Sequence, residues 1–153
     1  MIELKKHSYE SLIQQLIFLE ENSRDIEQTL VNGNIFPSGQ EVQRFLKKYA
    51  KKVESVFAHV QIVNGTDDFS SFNKNLFPFI VIGSCFTLRN SSNHNFYCRL
   101  TSDIYENASG ISHNIYAFSR SGLSLLLKEK DEYCTVDLGG GMNEYVINSI
   151  RLS

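Results

Sequence analysis

The rhythm of hydrophobic and polar positions changes near residue 62. Upstream of it, Tyr9, Leu12, Leu16, Leu19, Ile26 and Leu30 fall on alternating three- and four-residue steps, with Ser23 at the missing seam position. Val42, Leu46, Tyr49, Val53, Val56 and Val60 repeat the pattern. Such spacing puts one apolar stripe on each of two helices, predicted over residues 9–32 and 38–62. Gly33 follows the first helix as a C-cap residue, and Pro37 disfavours helix at Phe36. Ser38-Gly39-Gln40-Glu41 reads as a capping box, with Ser38 taking an orphan amide and Glu41 reaching back. The connector, residues 33–37, is so short that the helices must run antiparallel. Asn34, Ile35 and Phe36 form the predicted hairpin tip. Apolar Ile35 and Phe36 there either invite a partner or pack back on the hairpin.

Downstream, strands are predicted over residues 79–88 (broken at Gly83-Ser84), 96–100, 111–118, 133–138 and 144–150. Ser119 caps a short leucine-rich helix over 121–128. Gly139-Gly140-Gly141 reads as a hairpin turn, not a phosphate loop, because no helix follows it. The expected fold is α+β. An antiparallel coiled-coil hairpin (residues 1–62) and a linker (63–77) precede a C-terminal domain (78–153). That domain is a single curved antiparallel sheet with one short helix on its concave side. The polar stretch from Asn64 to Asn75, with isolated Phe69 and Phe72, gives the linker its character.

Composition narrows the function classes. Fifteen basic and seventeen acidic side chains among 153 residues give a net charge of −2 and a pI near 6.1. That argues against a generally basic nucleic-acid binder while leaving room for a local basic patch. Apolar residues at 42% and charged residues at 21% fit a folded chain and not a disordered one. No apolar run approaches the roughly 18 residues that a membrane span needs. The start, Met1-Ile2-Glu3-Leu4-Lys5-Lys6, lacks a signal-peptide pattern, so a cytoplasmic location is expected. Cys85, Cys98 and Cys134 form no CxxC pair and read as small apolar groups in strands. His7, His59, His94 and His113 have no ligand spacing. The expectation is therefore no metal, no cofactor and no small-molecule substrate.

Charge is unevenly placed. The first helix carries Glu10, Glu20, Glu21, Asp25 and Glu27 against Arg24. The second carries Arg44, Lys47, Lys48, Lys51 and Lys52 against Glu41 and Glu54. This basic stripe either faces nucleic-acid phosphates or is a solvated face paired with acids across the hairpin.

Four motifs in order resemble the Gre transcript-cleavage factors (GreA/GreB) of bacterial RNA polymerase. Val81-Ile82-Gly83-Ser84-Cys85-Phe86-Thr87-Leu88 is similar to "v-x-G-S-x-V-x-v". Ser119-Arg120-Ser121-Gly122-Leu123-Ser124-Leu125-Leu126-Leu127-Lys128 is similar to "S-P-L-G-x-A-L-L-G-K". Asp131-Glu132-Tyr133-Cys134-Thr135-Val136 is similar to "G-D-x-V-x-V", and Gly140-Gly141-Met142-Asn143-Glu144-Tyr145-Val146-Ile147 to "G-G-x-x-x-Y-x-I". The resemblance spans almost the whole chain. It implies a coiled coil followed by an FKBP-like domain. It also implies binding at the rim of the polymerase secondary channel through Phe118, Ser119 and Arg120, with the hairpin directed inward. Any nucleic-acid or DNA contact would then occur only within the polymerase complex.

The departures from that pattern concern chemistry. The family's tip reads "G-D-L-x-E-N-A-E-Y"; here Asn34 stands for the Asp and Pro37 for the Glu. Hard carboxylate oxygens are needed to hold a second Mg²⁺ and orient water, and neither residue supplies one. Each arm is about five residues shorter than the family's, roughly 7–8 Å of reach. The implied function is a non-enzymatic, polymerase-binding modulator of elongation, as in Rnk-type relatives with short hairpins. The alternatives are an active cleavage factor, an FKBP-like interaction module with another partner, or a peptidyl-prolyl isomerase. Fold alone does not carry the last of these.

Overall fold

Helix α3 (Gly39–Val56) begins where the cap chemistry places it. Ser38 has extended backbone, and its hydroxyl oxygen accepts the Glu41 amide at 3.4 Å. Its apolar stripe, Val42, Leu46, Tyr49, Val53 and Val56, is buried throughout. The computed structural model describes residues 1–63, 75–102 and 113–152. The chain divides into two units, Met1–Asn75 and Leu76–Ser153. Of the expected linker, residues 64–74 lie outside the described residues.

The first predicted helix is two helices, α1 (Lys6–Glu21) and α2 (Ser23–Asn32), interrupted at Asn22 with φ −110° and ψ 16°. Side chains add to the backbone bonds there, where the Asn22 backbone amide still donates to the Phe18 carbonyl at 2.9 Å. The Asn22 side-chain amide donates to the Phe18 carbonyl at 2.8 Å, and Gln43 of α3 donates to the Ser23 carbonyl at 3.3 Å. Contacts run in opposite directions along the arms: Ser23 meets Gln43, Gln15 bonds the Tyr49 hydroxyl, and the Tyr9 ring lies 5.5 Å from that of Phe57. The hairpin is antiparallel. Leu12, Leu19, Ile26 and Leu30 are buried in its seam, while Tyr9 and Leu16 are half-buried.

Two strands depart from the helical expectation. α3 ends at Val56, a 3-10 turn covers Phe57–His59, and β2 (Val60–Val63) pairs in parallel with β1 (Ile2–Lys5). Val60 sits on the heptad rhythm, so periodicity alone carries the helix too far. The β-branched run Val60-Gln61-Ile62-Val63 decides locally for strand. Buried Asn75 reinforces β1: its amide donates to the Glu3 carbonyl at 2.9 Å, and its Oδ1 accepts the Lys5 amide at 2.8 Å.

The second unit is a five-stranded sheet in the order β5-β4-β3-β7-β6. The strands are β3 (Ser84–Arg89), β4 (Asn95–Thr101), β5 (His113–Tyr116), β6 (Tyr133–Asp137) and β7 (Met142–Leu152). Alternation sets its core face. Phe86 and Leu88 are buried with Cys98, Leu100, Ile115, Val136, Ile147 and Ile150, and helix α4 (Arg120–Leu125) adds Leu125. A register shift against β7 falls between Thr87 and Leu88. The sheet is mixed, because β4 and β5 run parallel with Cys98 opposite His113. This corrects the all-antiparallel expectation. Alternation tells which side chains share a face but not which way the neighbouring strand runs. Residues 111 and 112, the start of the strand expected from 111, lie outside the described residues.

Candidate functional site

At the hairpin tip the last turn of α2 closes in a Schellman arrangement. The Ile35 amide donates to the Leu30 carbonyl at 3.0 Å, and the Asn34 amide to the Val31 carbonyl at 3.0 Å. Gly33 is the C-cap, but its φ is −81°; the left-handed residue is Asn34, at φ 57°. Asn is among the few non-glycine residues that enter this region readily. Its presence therefore has a backbone reason. Ile35 and Phe36 are half-buried, and the Phe36 ring packs 5.7 Å from Phe45 of α3. Of the three tip residues only Asn34 is exposed.

Acids near the tip serve the start of α3. Glu41 lies 4.0 Å from Arg44 and does not reach back to its own cap amide, so only the Ser38 half of the capping box forms. The Glu27 carboxylate lies against Gly39: a Cβ there would come within 2.2 Å of its Oε1. A carboxylate in that position faces the positive end of the α3 dipole. Sequence reading missed Glu27; the Gly at the first position of α3 was the available signal.

The basic stripe is only partly one surface. Arg44, Lys47, Lys48 and Lys51 are exposed and Lys52 is half-buried. Arg44 pairs within its own helix, and Lys47, Lys48 and Lys51 make no ion pair among the described residues. The expected cross-helix pairing of these four residues is therefore corrected. Their charged ends stay in water, where an exposed pair gains little.

In the second unit the junction between β5 and α4 is tightly specified. Phe118 is buried, its ring 5.8 Å from that of Tyr116. Ser119 caps α4: its Oγ accepts the Gly122 amide at 3.0 Å and donates to the Tyr116 carbonyl at 2.7 Å. Arg120 is the first residue of α4 and is exposed. Gly122 is buried so close to the preceding strand that a Cβ would sit 2.1 Å from the Tyr116 carbonyl oxygen. Of the three residues proposed from sequence for partner contact, only the Arg120 side chain reaches freely outward.

The remaining motif residues also have backbone roles. Gly83 has φ 91°, and its amide donates to the Leu100 carbonyl at 2.7 Å. The buried Ser84 hydroxyl donates to the Val81 carbonyl at 2.6 Å. Leu127 and Asp131 have φ 70° and 71°, although neither is glycine. The β6–β7 turn closes with the Gly139 amide donating to Asp137 Oδ1 at 2.7 Å.

Burial favours the neutral form of the three thiols. Burial pushes the Cys98 thiol up to about 12, helped by neighbouring Cys134, and burial pushes Cys134 up to about 11. Burial also raises Cys85, against the opposing pull of the Arg99 charge. Protonated thiols are poor nucleophiles and poor metal ligands. No described helix is long and apolar enough to cross a membrane.

Comparison with solved structures finds chains matched over nearly their whole length, among them the following three. Gfh1, the GreA factor homolog 1 of Thermus thermophilus, is 20% identical over 98% of each chain, with a TM-score of 0.44. A GreA/GreB elongation factor from Nitrosomonas europaea is 18% identical over 99% of each, with a TM-score of 0.44. Thermus aquaticus Gfh1 is 18% identical over 98% of this chain and 97% of its own, with a TM-score of 0.41. No protein-family model and no curated protein matches the chain.

Proposed function

We propose that this chain is a Gre-like factor that binds RNA polymerase and modulates transcription elongation without stimulating transcript cleavage. The observation that carries this reading is the backbone where the sequence departs from the Gre pattern. Leu127 stands for the glycine of "L-G-K" and Asp131 for the glycine of "G-D", and both keep left-handed backbone at φ 70° and 71°. Accidental similarity of residue types gives no reason for substituted glycines to retain a glycine conformation. Arg120 likewise occupies the first helical position, where the pattern has the proline that suits it. The motifs thus describe one backbone, and that supports the partner they imply.

The tip supports the absence of cleavage. Asn34 carries a neutral amide at the left-handed position and Pro37 offers no ligand. Glu27 lies against Gly39, and exposed Glu41 is 4.0 Å from Arg44. Neither stands at the positions where the resembled pattern carries the acids that would hold a second Mg²⁺ and orient water.

A pull-down of the full chain with core RNA polymerase tests the partner. Retention is expected, and Arg120→Glu should weaken it about tenfold, since reversing an exposed interface charge acts through electrostatic complementarity. Failure to be retained would favour an interaction module with another partner. Retention together with new 3′ RNA fragments from a stalled complex would favour an active cleavage factor.

A further inference from the structure

The five-stranded sheet has two unlike faces. Alternation turns Phe86, Leu88, Cys98, Val136 and Ile147 into the core. The positions between them face outward. Arg89 stands there between Asn95 of β4 and Val146 of β7, and Tyr133 of β6 lies on the far side of Val146. Tyr97 is outward beside Thr87, and Arg99 and Arg151 flank Cys85. Tyr97 and Tyr133 are 57% and 64% exposed. Arg89 is half-buried and makes no ion pair among the described residues. A partly desolvated, unpaired guanidinium is well placed to take an anion.

The acids of this face, Asp137 and Glu144, gather toward the β6–β7 turn. Asp137 is occupied, its Oδ1 accepting the Gly139 and Gly141 amides. Glu144 shares a cavity of about 770 Å³, between the β3–β4 turn and β7, with Arg89, Asn93, Phe96 and Tyr133. Its carboxylate can accept from a base amino group but repels a phosphate.

Composition indicates the partner. β3, β4, β6 and β7 hold no lysine, and their outward aliphatic side chains are Val146 and, at the acidic end, Met142. A protein interface needs an apolar, charge-poor centre, which this face lacks. A nucleic-acid interface is polar and positively charged, and single strands stack their bases on aromatic rings and guanidinium planes. By strand spacing and rise, Tyr97 and Tyr133 stand about 16 Å apart with Arg89 between them. That is the scale of the two or three bases that a four-stranded sheet stacks. The Thr87 and Ser149 hydroxyls, 3.0 Å apart beside Tyr97, and the Asn95 amide offer partners to a ribose 2′-hydroxyl.

We infer that the outward face of the sheet binds single-stranded RNA. Bases stack on Tyr97 and Tyr133, and the phosphates between them meet Arg89, with Arg99 and Arg151 extending the basic side of the face.

Fluorescence anisotropy of the full chain with a labelled RNA of about 12 nucleotides, at low salt and without polymerase, tests this. Saturable binding is expected. Tyr97→Ala and Tyr133→Ala should each weaken it about tenfold, whereas Tyr133→Phe, which keeps the ring, should bind like the native chain. Both tyrosines are exposed, so circular dichroism should be unchanged, which separates lost stacking from lost folding. Arg89→Gln should lower the slope of log affinity against log salt by about 0.7. Lys48→Gln, on the exposed stripe of α3, should change affinity less than about twofold. The same sequence as DNA, or as an RNA duplex, should bind more weakly. No binding would overturn the inference in favour of a protein partner for this face. Binding that the tyrosine variants leave intact, or equal affinity for DNA or duplex, would overturn it as well. With polymerase absent, none of these results depends on whether the chain is retained by polymerase.

Discussion

The two units hold their folds by different means. In the hairpin, side-chain periodicity does the specifying: Val42, Leu46, Tyr49 and Val53 bury one stripe while the rest of each helix surface is free to vary. In the sheet unit a few backbone positions matter most, because Gly83, Gly122, Leu127 and Asp131 adopt conformations or approaches that few residues accept. A periodic element tolerates change on its surface, and at the tip Asn34 and Pro37 stand where the pattern the chain resembles has acids. A backbone-specified element keeps its geometry even where the residue type has changed.

The sharpest way to break this contrast is Gly122→Ala. A methyl group 2.1 Å from a backbone carbonyl oxygen has no flexible neighbour to move. A loss of about 3 kcal/mol or more is expected, read as a collapse of the melting transition. An Ala variant of near-native stability would show that α4 is not held against β5 as described.

Val53→Asp should rank next. Val53 is completely buried in the seam, and a carboxylate there has no partner. Its cost should be about 3 kcal/mol, with most helical circular dichroism lost. Exposed Lys48→Asp on the same helix should change stability by less than about 0.5 kcal/mol. Similar effects for the two would remove the case for a periodic seam.

Much of the fold is legible in the sequence for these same reasons. The seam, the Ser38 and Ser119 caps and the β6–β7 hairpin depend on local chemistry that residue types declare. What escaped depends on relations between distant segments. The β1–β2 pair joins two short runs that precede α1 and follow α3 in the chain, and the parallel β4–β5 ladder sets a direction that alternation does not encode. The break at Asn22 is satisfied from α3 by Gln43, which no pattern within the first helix foretells. At the tip, Asn34 was legible as a lost acid but not as the left-handed residue. The extra apolar face of α1 was visible in Ile13, Ile17 and Phe18, yet the seam reading did not use it.

A smaller effect sharpens the backbone side of the contrast. Leu127→Gly should stabilise the sheet unit by about 1 kcal/mol, because it relieves a left-handed leucine. Asp131→Gly should gain less, since Asp enters that region more easily. Measured by urea midpoints, a loss at both positions would argue that the Leu127 and Asp131 side chains, not the left-handed backbone, hold these turns.

The pH dependence is gentler still. Cys98 and Cys134 titrate higher folded than unfolded, since burial favours the neutral thiol. The folded state therefore binds more protons above the ordinary thiol pKa of 9.0, and stability falls as pH rises from there toward 11–12. Each thiol contributes at most about 1.4 kcal/mol per pH unit. Cys98→Ala should flatten the decline in urea midpoints above pH 9.0; an unchanged slope would assign it to other groups.

The central claim, polymerase binding without cleavage, meets its most direct test in one competition assay. Backtracked complexes with Mg²⁺ and an active cleavage factor release short 3′ RNA fragments. On the proposed reading, titrating in this protein should lower that release toward the polymerase's intrinsic rate, as a rim-bound chain without tip carboxylates would. Fragment release that is unaffected, or that rises with added protein, would contradict it.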